Sequence, residues 1–267
     1  MQCREFQGCY HSAMTLFSAF TSQELLLAFG VAFLAGWIKG MVGFAMPMVL
    51  VSGLSMILSP DLAIAGLILP TIVTNGFQAF REGVPAAIDA IRQFRVFLSV
   101  GLVFLLLGAQ LVSIVPEKTF VLIIGIPVTF FALIQMLGLK LTLEKSSARI
   151  EASIGSIAGF VGGLSGVWGP PTVLYLTALN TPKAVQMRVQ GVIYSLGAVA
   201  LLVAHLGSGI FNAQTAPFSA VLILPALIGM WVGLQLQSRI DQARFRKVTL
   251  LVLLIAGLNL LRRGILG

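Results

Sequence analysis

Apolar residues run in long blocks along this chain, and short polar segments separate the blocks. The first block extends from Leu25 to Leu58. A helix that crosses a bilayer needs about 20 residues, so this block is too long for one straight helix. The segment Gly36–Pro47 contains three glycines, Lys39 and a proline, and both glycine and proline weaken a helix. The pattern therefore predicts two half-helices, at about Leu25–Ile38 and Met46–Leu58, on either side of a glycine-rich break.

A second broken block lies in the other half of the chain. Its residues predict a half-helix at about Ile150–Ser165, a break at Gly166–Pro171, and a short second half-helix at about Thr172–Leu179. The spacing Gly40-x-x-Gly43 in the first block corresponds to Gly166-x-x-Gly169 in the second. A broken backbone at membrane depth is costly unless protein or a wet cavity covers it. Paired interrupted segments in two halves of a membrane protein therefore indicate a transport site.

Three uninterrupted apolar helices are predicted after each broken block. In the first half they lie at about Leu62–Phe80, Val96–Val115 and Phe120–Leu139. In the second half the first runs from the cap Asn180–Pro182 to about His205, and the other two lie at about Phe218–Gln237 and Phe245–Leu261. The loop after the first helix of each set is polar at Arg81–Arg95 and neutral at Gly207–Ala216. Gly108-x-Gln110 also matches Gly233-x-Gln235, so the repeated order indicates an internal duplication.

Composition places the chain in a membrane. Of its 267 residues, 58% are hydrophobic and 10% are charged, whereas a soluble domain carries about 25% charged residues. The predicted fold class is an all-α polytopic membrane protein with two inverted repeats. Each repeat is a broken or re-entrant helical hairpin plus three transmembrane helices. The predicted organisation is a tail at residues 1–23, a first repeat at 24–139, a basic linker at 140–149 and a second repeat at 150–267.

The distribution of basic residues predicts how the two halves are oriented. The net charge of +8 comes mostly from Lys and Arg in loops, as cytoplasmic loops require, so no nucleic-acid partner is needed to explain it. The loops Arg81–Arg95, Lys140–Arg149 and Arg239–Lys247 are basic, whereas Gly207–Ala216 contains no Lys or Arg. If the basic loops are cytoplasmic, the halves point in opposite directions. A parallel arrangement of four plus four helices is the alternative, and it would put the most basic loop outside.

Little in the sequence supports catalysis or a cofactor. No His-Glu-x-x-His, Gly-x-Ser-x-Gly or Walker phosphate loop is present, so we expect no enzyme activity and no cofactor. Cys3 and Cys9 lie in the tail with His11, and their spacing fits no standard metal site, so no metal is expected. The tail is not a convincing signal peptide, because no cleavage site of small residues precedes the first apolar block.

Lys39 is the candidate site residue that the pattern singles out most strongly. A half-helix that begins at a break directs its free N–H groups and the positive end of its dipole at the break. Two such ends would form an anion site without acidic residues, and Lys39 would add a full positive charge. An ionisable residue at membrane depth is a functional hypothesis. The alternative is that the side chain extends to a lipid headgroup.

Polar residues on later helices extend the candidate site. Asn75 and Gln78 are three residues apart and share a helix face. Both can donate to the oxygens of an anion, although hydrogen bonding between helices explains them equally well. Arg188, near Gln190, is either an anion ligand or a side chain that extends to the membrane surface. The aromatic candidates, which would line a cavity or anchor the chain at the bilayer surface, are Trp168 and Tyr175.

The motifs around these residues resemble the sulfite exporter TauE/SafE family. The segment Phe33–Pro47, with Lys39-Gly40-x-x-Gly43-Phe44, is similar to the first signature of that family. Pro70-x-x-x-x-Asn75-x-x-Gln78 is similar to the next segment, and Gly159–Tyr175 to the signature of the second half. The resemblance covers nearly the whole chain. The positions that depart from the family pattern are Ala45, where a further glycine is frequent, and Trp168, where a small residue is usual.

The resemblance implies a secondary transporter, an exporter of small sulfur-containing oxyanions such as sulfite, sulfoacetate or other sulfonates. It would work by alternating access around a midplane anion site, in contact with lipid in a bacterial inner membrane. The coupling ion, H⁺ or Na⁺, and a homo-oligomeric state stay open. The alternatives are a passive anion channel and a membrane enzyme or assembly factor without a transport role. The expected substrate-binding residues are Lys39, Gly40, Gly43, Phe44, Asn75, Gln78, Gly166, Trp168, Gly169, Pro170, Tyr175, Arg188 and Gln190.

Overall fold

The chain forms helices joined by short connections. The computed structural model describes residues 21–110, 117–139, 142–143, 146–165, 169–207 and 209–266, and these residues form no strand. The helices, in chain order, are α1 (Ser22–Val42), α2 (Met46–Leu54), α3 (Pro60–Phe80), α4 (Val84–Gln93), α5 (Arg95–Gln110), α6 (Glu117–Met136), α7 (Ala148–Ser165), α8 (Gly169–Ala178), α9 (Lys183–Gly207), α10 (Ala216–Val221), α11 (Ile223–Arg239) and α12 (Gln242–Leu266).

Several of these segments can cross a membrane. Within the described residues, five helical segments are long and apolar enough, namely Ser22–Val42, Asp61–Phe80, Lys183–Gly207, Ala216–Arg239 and Gln242–Leu266. A sixth span results if α4 and α5, which meet at 78°, count as one broken span. The predicted class, an all-α polytopic membrane protein, is confirmed. The inverted orientation of the second repeat and the domain bounds stay predictions.

Both broken blocks consist of two helices. In the first block, α1 and α2 are separated by Gly43–Ala45. Gly43 has a φ of 85° and Ala45 a φ of 71°, a left-handed backbone that a glycine adopts freely and an alanine only with strain. In the second block, α7 ends at Ser165 and α8 begins at Gly169. Gly166 and Trp168 lie outside the described residues. The predicted pair of interrupted segments is confirmed.

The prediction that the first half-helix ends near Ile38 is wrong. Helix α1 continues through Gly36 and Gly40 to Val42, so Lys39 lies in its last turn. The two glycines serve close packing instead of breaking the helix. A Cβ on Gly36 would overlap the backbone carbonyl of Ala226, and one on Gly40 would overlap that of Met230. Small residues allow membrane helices to approach this closely.

The loop predicted at Arg81–Arg95 is also different, because it contains helix α4. Pro85 lies in the first turn of α4, where its missing N–H costs nothing. Ala87 and Ala90 face the protein, whereas Asp89 and Arg92 form an exposed ion pair. The charged residues that suggested a loop thus lie on the solvated side of an amphipathic helix.

The two halves of the chain pack against each other through four helix pairs. The pairs are α1 with α11, α5 with α7, α3 with α9, and α6 with α12. Each pair takes one helix from each half. The pairing is unchanged when the halves are exchanged, because α1 and α5 correspond in chain order to α7 and α11. This exchange symmetry agrees with the internal duplication. The four helix pairs join the halves into one bundle.

Candidate functional site

Lys39 lies in the interior of this bundle, with 1% of its surface exposed. Its position in the last turn of α1 is favourable for a cation, because the carboxyl end of a helix is negative. The Nζ donates a hydrogen bond to Asn75 Oδ1 on α3 and lies 5.9 Å from the ring centroid of Tyr194 on α9. None of the ion pairs among the described residues involves Lys39. The partners that the structure gives this ammonium are therefore neutral.

Asn75 and Gln78 hold α3 against the first break and α9. The Asn75 Nδ2 donates to the backbone carbonyl of Tyr194 at 2.9 Å. The Gln78 Nε2 donates to the carbonyls of Gly43 at 3.1 Å and Met187 at 2.6 Å. The shared helix face thus brings both amides to the break, and both bridge helices. The Gln78 Oε1 is buried and has no hydrogen-bond partner among the described residues.

Gln190 lies directly beside the first break with none of its surface exposed. Neither its Nε2 nor its Oε1 has a hydrogen-bond partner within the described part of the chain. A Cβ on Gly43 would overlap the Gln190 Oε1, so a side chain at residue 43 would have to displace this amide as well as adopt a left-handed backbone. Leaving a buried polar group unpaired costs about 1–3 kcal/mol. Such an amide is suited to a polar ligand.

The two breaks meet at Tyr194. Its hydroxyl donates to the Gly169 carbonyl at 3.3 Å, in the first turn of α8. A Cβ on Gly169 would lie 3.5 Å from the Phe44 ring, so Phe44 of the first break faces the start of α8. Pro170 is buried in that same first turn. The structure therefore brings Lys39, Gly43, Phe44, Asn75, Gln78, Gly169 and Gln190 together.

Other predicted site residues lie elsewhere. Gly40 faces α11, as described above. Tyr175 stacks on Phe97, with ring centroids 5.9 Å apart and planes at 2°, and its hydroxyl lies 2.6 Å from the Ser146 Oγ. This places Tyr175 in an aromatic cluster with α4 and α5 instead of beside Lys39. Arg188 forms an ion pair with Glu82.

Tyr194 is the component that sequence reasoning missed. It joins Lys39, Asn75 and Gly169 by its ring, its carbonyl and its hydroxyl. A signal was present, because Tyr194 follows Gln190 by four residues, and residues at that spacing share a helix face. Extending the polar face of α9 by one turn would have found it.

The electrostatics of this cluster favour an anion. Lys39 supplies a positive charge when it is protonated, and helix α2 begins at the break with no side-chain hydrogen bond capping its N-terminus. The free N–H groups and dipole of such a helix end attract negative charge. Pro47 removes one of these donors, so the others carry that role. A small ligand with several acceptor oxygens suits this arrangement of an ammonium, a free amide and backbone donors.

One protein family matches the chain. The family model described as Sulfite exporter TauE/SafE matches residues 28–260. The match includes both broken blocks, the α3–α9 pair and most of α12. No curated protein and no solved structure matches.

Proposed function

Because the chain belongs to the sulfite exporter TauE/SafE family, which implies a membrane exporter of sulfite or a related anion, we propose that it is a secondary transporter that binds a small sulfur oxyanion between its two broken helices. Sulfite, sulfoacetate and other sulfonates are the proposed substrates. The observation that carries the proposal is Lys39, a buried lysine with neutral partners at the meeting point of both breaks.

The energetic cost of Lys39 supports a bound anion. A lysine at the bilayer centre costs about 2.5–3.5 kcal/mol on insertion scales. One amide oxygen and one aromatic ring offset part of this cost. An anion would offset more, since it brings a full negative charge and several acceptors. The lysine and the substrate then stabilise each other at membrane depth.

The free donors at the first break suit a tetrahedral or pyramidal oxyanion. The ammonium has three donors and the Gln190 amide has two, and neither atom of that amide has a partner among the described residues. An ion with three oxygens can accept from the lysine, from the amide and from the start of α2 at once. A planar carboxylate offers fewer acceptor directions, which favours sulfite and sulfonates over acetate.

Alternating access is the proposed mechanism, and the packing of the two halves against each other supports it. The site contacts α1 and α3 of the first half and α8 and α9 of the second. Rocking one half against the other around these broken helices would expose the anion to each side in turn. Saturable flux and counter-transport in a bacterial cell membrane are expected, whereas a passive channel would show neither.

The test is anion binding to the purified protein and its Lys39→Met variant. A ligand at a hundredfold excess over its Kd stabilises the folded state by about 2.7 kcal/mol. We expect sulfite or a sulfonate to raise the Tm of the unmodified protein, acetate to raise it less, and Lys39→Met to lose the response while still inserting. The control is Lys247→Met, which removes an exposed lysine of α12. Equal binding by Lys39→Met, or no response of the unmodified protein to any of these anions, would overturn the proposal.

A further inference from the structure

A second polar cavity lies next to the candidate site, where α3 ends, α9 begins and α11 ends. Its volume is about 290 Å³. The polar residues in its wall are Gln78, Arg81, Glu82, Lys183, Arg188, Gln237 and Ser238. By the distribution of basic loops, this is the face of the protein expected in the cytoplasm.

The charges in the cavity wall are unbalanced in favour of an anion. Arg81, Lys183 and Arg188 are cationic, and Glu82 is the one acidic residue among the lining residues described. Lys183 is held at the end of α11, where its Nζ donates to the carbonyls of Gln237 at 3.2 Å and Ile240 at 2.5 Å. A cleft lined by one sign of charge concentrates ions of the opposite sign.

Arg188 is paired with the carboxylate of Glu82, which connects α9 to the end of α3. The two side chains are 20% and 41% exposed, so water can replace either partner at modest cost. The Arg188 Nε is buried and has no hydrogen-bond partner among the described residues. A guanidinium presents several donors in a fixed plane and binds carboxylates and oxyanions through the same fork.

The cavity ends close to Lys39. Gln78 lines it and donates to the Gly43 carbonyl in the first break. Asn75, which binds Lys39, precedes Gln78 by three residues, about 4.5 Å along the axis of α3. The hydrogen bonds from the Gln78 Nε2 to Gly43 and Met187 hold this boundary, while its buried Oε1 has no hydrogen-bond partner among the described residues. A ligand in the cavity is therefore separated by one layer of side chains from the candidate site at Lys39.

We propose that this cavity is a first binding site for the transported oxyanion on the basic face, and that Glu82 stays paired with Arg188 until the anion displaces the Glu82 carboxylate. This inference rests on the proposed function. The arriving anion binds Arg188 in place of the carboxylate and then passes Gln78 to reach Lys39. Glu82 thereby sets the anion concentration at which the cavity fills.

The experiment measures uptake of labelled sulfite in proteoliposomes, with sulfite added on the basic face or on the opposite face. Glu82→Gln frees Arg188, so we expect a roughly tenfold lower KM from the basic face with kcat retained. Arg188→Gln is expected to raise that KM by a similar factor, and Glu82→Gln added to it should then change nothing. The difference in KM between Glu82→Gln and the unmodified protein should become smaller at high salt, because these charges are partly exposed.

A matched control is available on the same face. Asp89→Asn breaks the exposed ion pair with Arg92 on α4, removes the same charge as Glu82→Gln and should leave KM unchanged. If Glu82→Gln and Arg188→Gln instead both lower the Tm and both raise KM, the pair only ties α3 to α9 and the inference is overturned. Saturable flux by the unmodified protein that Lys39→Met abolishes would leave the proposed function standing in that case. Absence of such flux would overturn the proposed function itself.

Discussion

The two broken blocks have the same order of elements but different chemistry. Each consists of a long helix, a short interruption and a half-helix of nine or ten residues. In the first block a lysine precedes Gly40, whereas in the second a serine precedes the corresponding Gly166. The polar groups that bind Lys39 come from α3 and α9, the first uninterrupted helices of the two halves. Duplication thus supplies a symmetric frame, and Lys39 makes the two broken blocks chemically different.

Under the proposed function, this difference would explain how a duplicated protein binds a single anion. Two lysines at equivalent positions would repel each other across the meeting point, and like charges destabilise the charged form. One lysine whose partners are an amide oxygen and an aromatic ring would leave a net positive charge for the proposed ligand. The variants below test whether the asymmetry has this function.

The largest effect is expected at Gly43, the glycine of the first break. Gly43→Ala combines a left-handed backbone with overlap of the Gln190 Oε1, so we expect a loss of about 2–4 kcal/mol of stability and of anion binding. Gly169→Ala is the matched change in the second block. Among the described residues its Cβ would meet nothing closer than 3.5 Å, so this variant should unfold within a few degrees of the unmodified protein in detergent. Similar Tm values for the two variants would contradict the geometry at Gly43.

The second variant removes the asymmetry of charge without removing Lys39. Asn75→Asp places a carboxylate at the oxygen that already accepts from the Lys39 Nζ. We expect the resulting ion pair to replace the anion and to weaken sulfite binding roughly tenfold to a hundredfold. Calorimetric titration with sulfite measures this loss.

Asn75→Ala separates the two interpretations of this residue. As a bridge between helices alone, Asn75 would contribute on the order of 0.6 kcal/mol per hydrogen bond in a membrane. In that case the Tm falls while the affinity for sulfite is unchanged.

For the Asn75→Asp variant of the preceding test, sulfite binding as tight as that of the unmodified protein would show that the anion does not use Lys39.

The smallest effect is expected at the two tyrosines. Tyr194→Phe removes the hydrogen bond to Gly169 that joins α9 to the second break. If the free energy of this bond, about 0.6 kcal/mol, is lost from sulfite binding, the affinity for sulfite falls roughly threefold. Tyr175→Phe removes a hydroxyl that contacts Ser146 in a different cluster. That variant should bind sulfite normally. Initial rates in proteoliposomes compare the two, and a larger defect in Tyr175→Phe would return that residue to the site.

Much of the fold could be predicted because long apolar blocks and broken helices are local features of sequence. The limits of α7 and α9, the two breaks and the repeated order all follow from where glycines, prolines and charges interrupt the apolar pattern. Gly40 could not be interpreted from its neighbours alone, because a glycine allows both a break and a close helix contact, and only α11 decides between them. Helix α4 was missed because its short apolar face includes small alanines.

The candidate site was predictable in part for the same reason. Lys39, Asn75, Gln78 and Gln190 are polar residues inside apolar helices, and this contrast is visible in the sequence. Their partners depend on which helices meet. Nothing near Arg188 in the sequence indicates Glu82, which is 106 residues away along the chain. Tyr175 and Tyr194 look alike in sequence, and only the packing of α8 and α9 assigns them to different clusters.

The crossings of α1 with α11 and of α5 with α7 have a consequence for the way the halves are held together. At both crossings backbone faces backbone, since a Cβ on Gly233 would overlap the Trp37 carbonyl and one on Gly159 would overlap that of Gly101. Glycine has no side-chain rotamers to lose when a contact forms. The halves therefore associate at these points without freezing side chains, and a separation of the halves at these crossings would not require a side chain to be reordered.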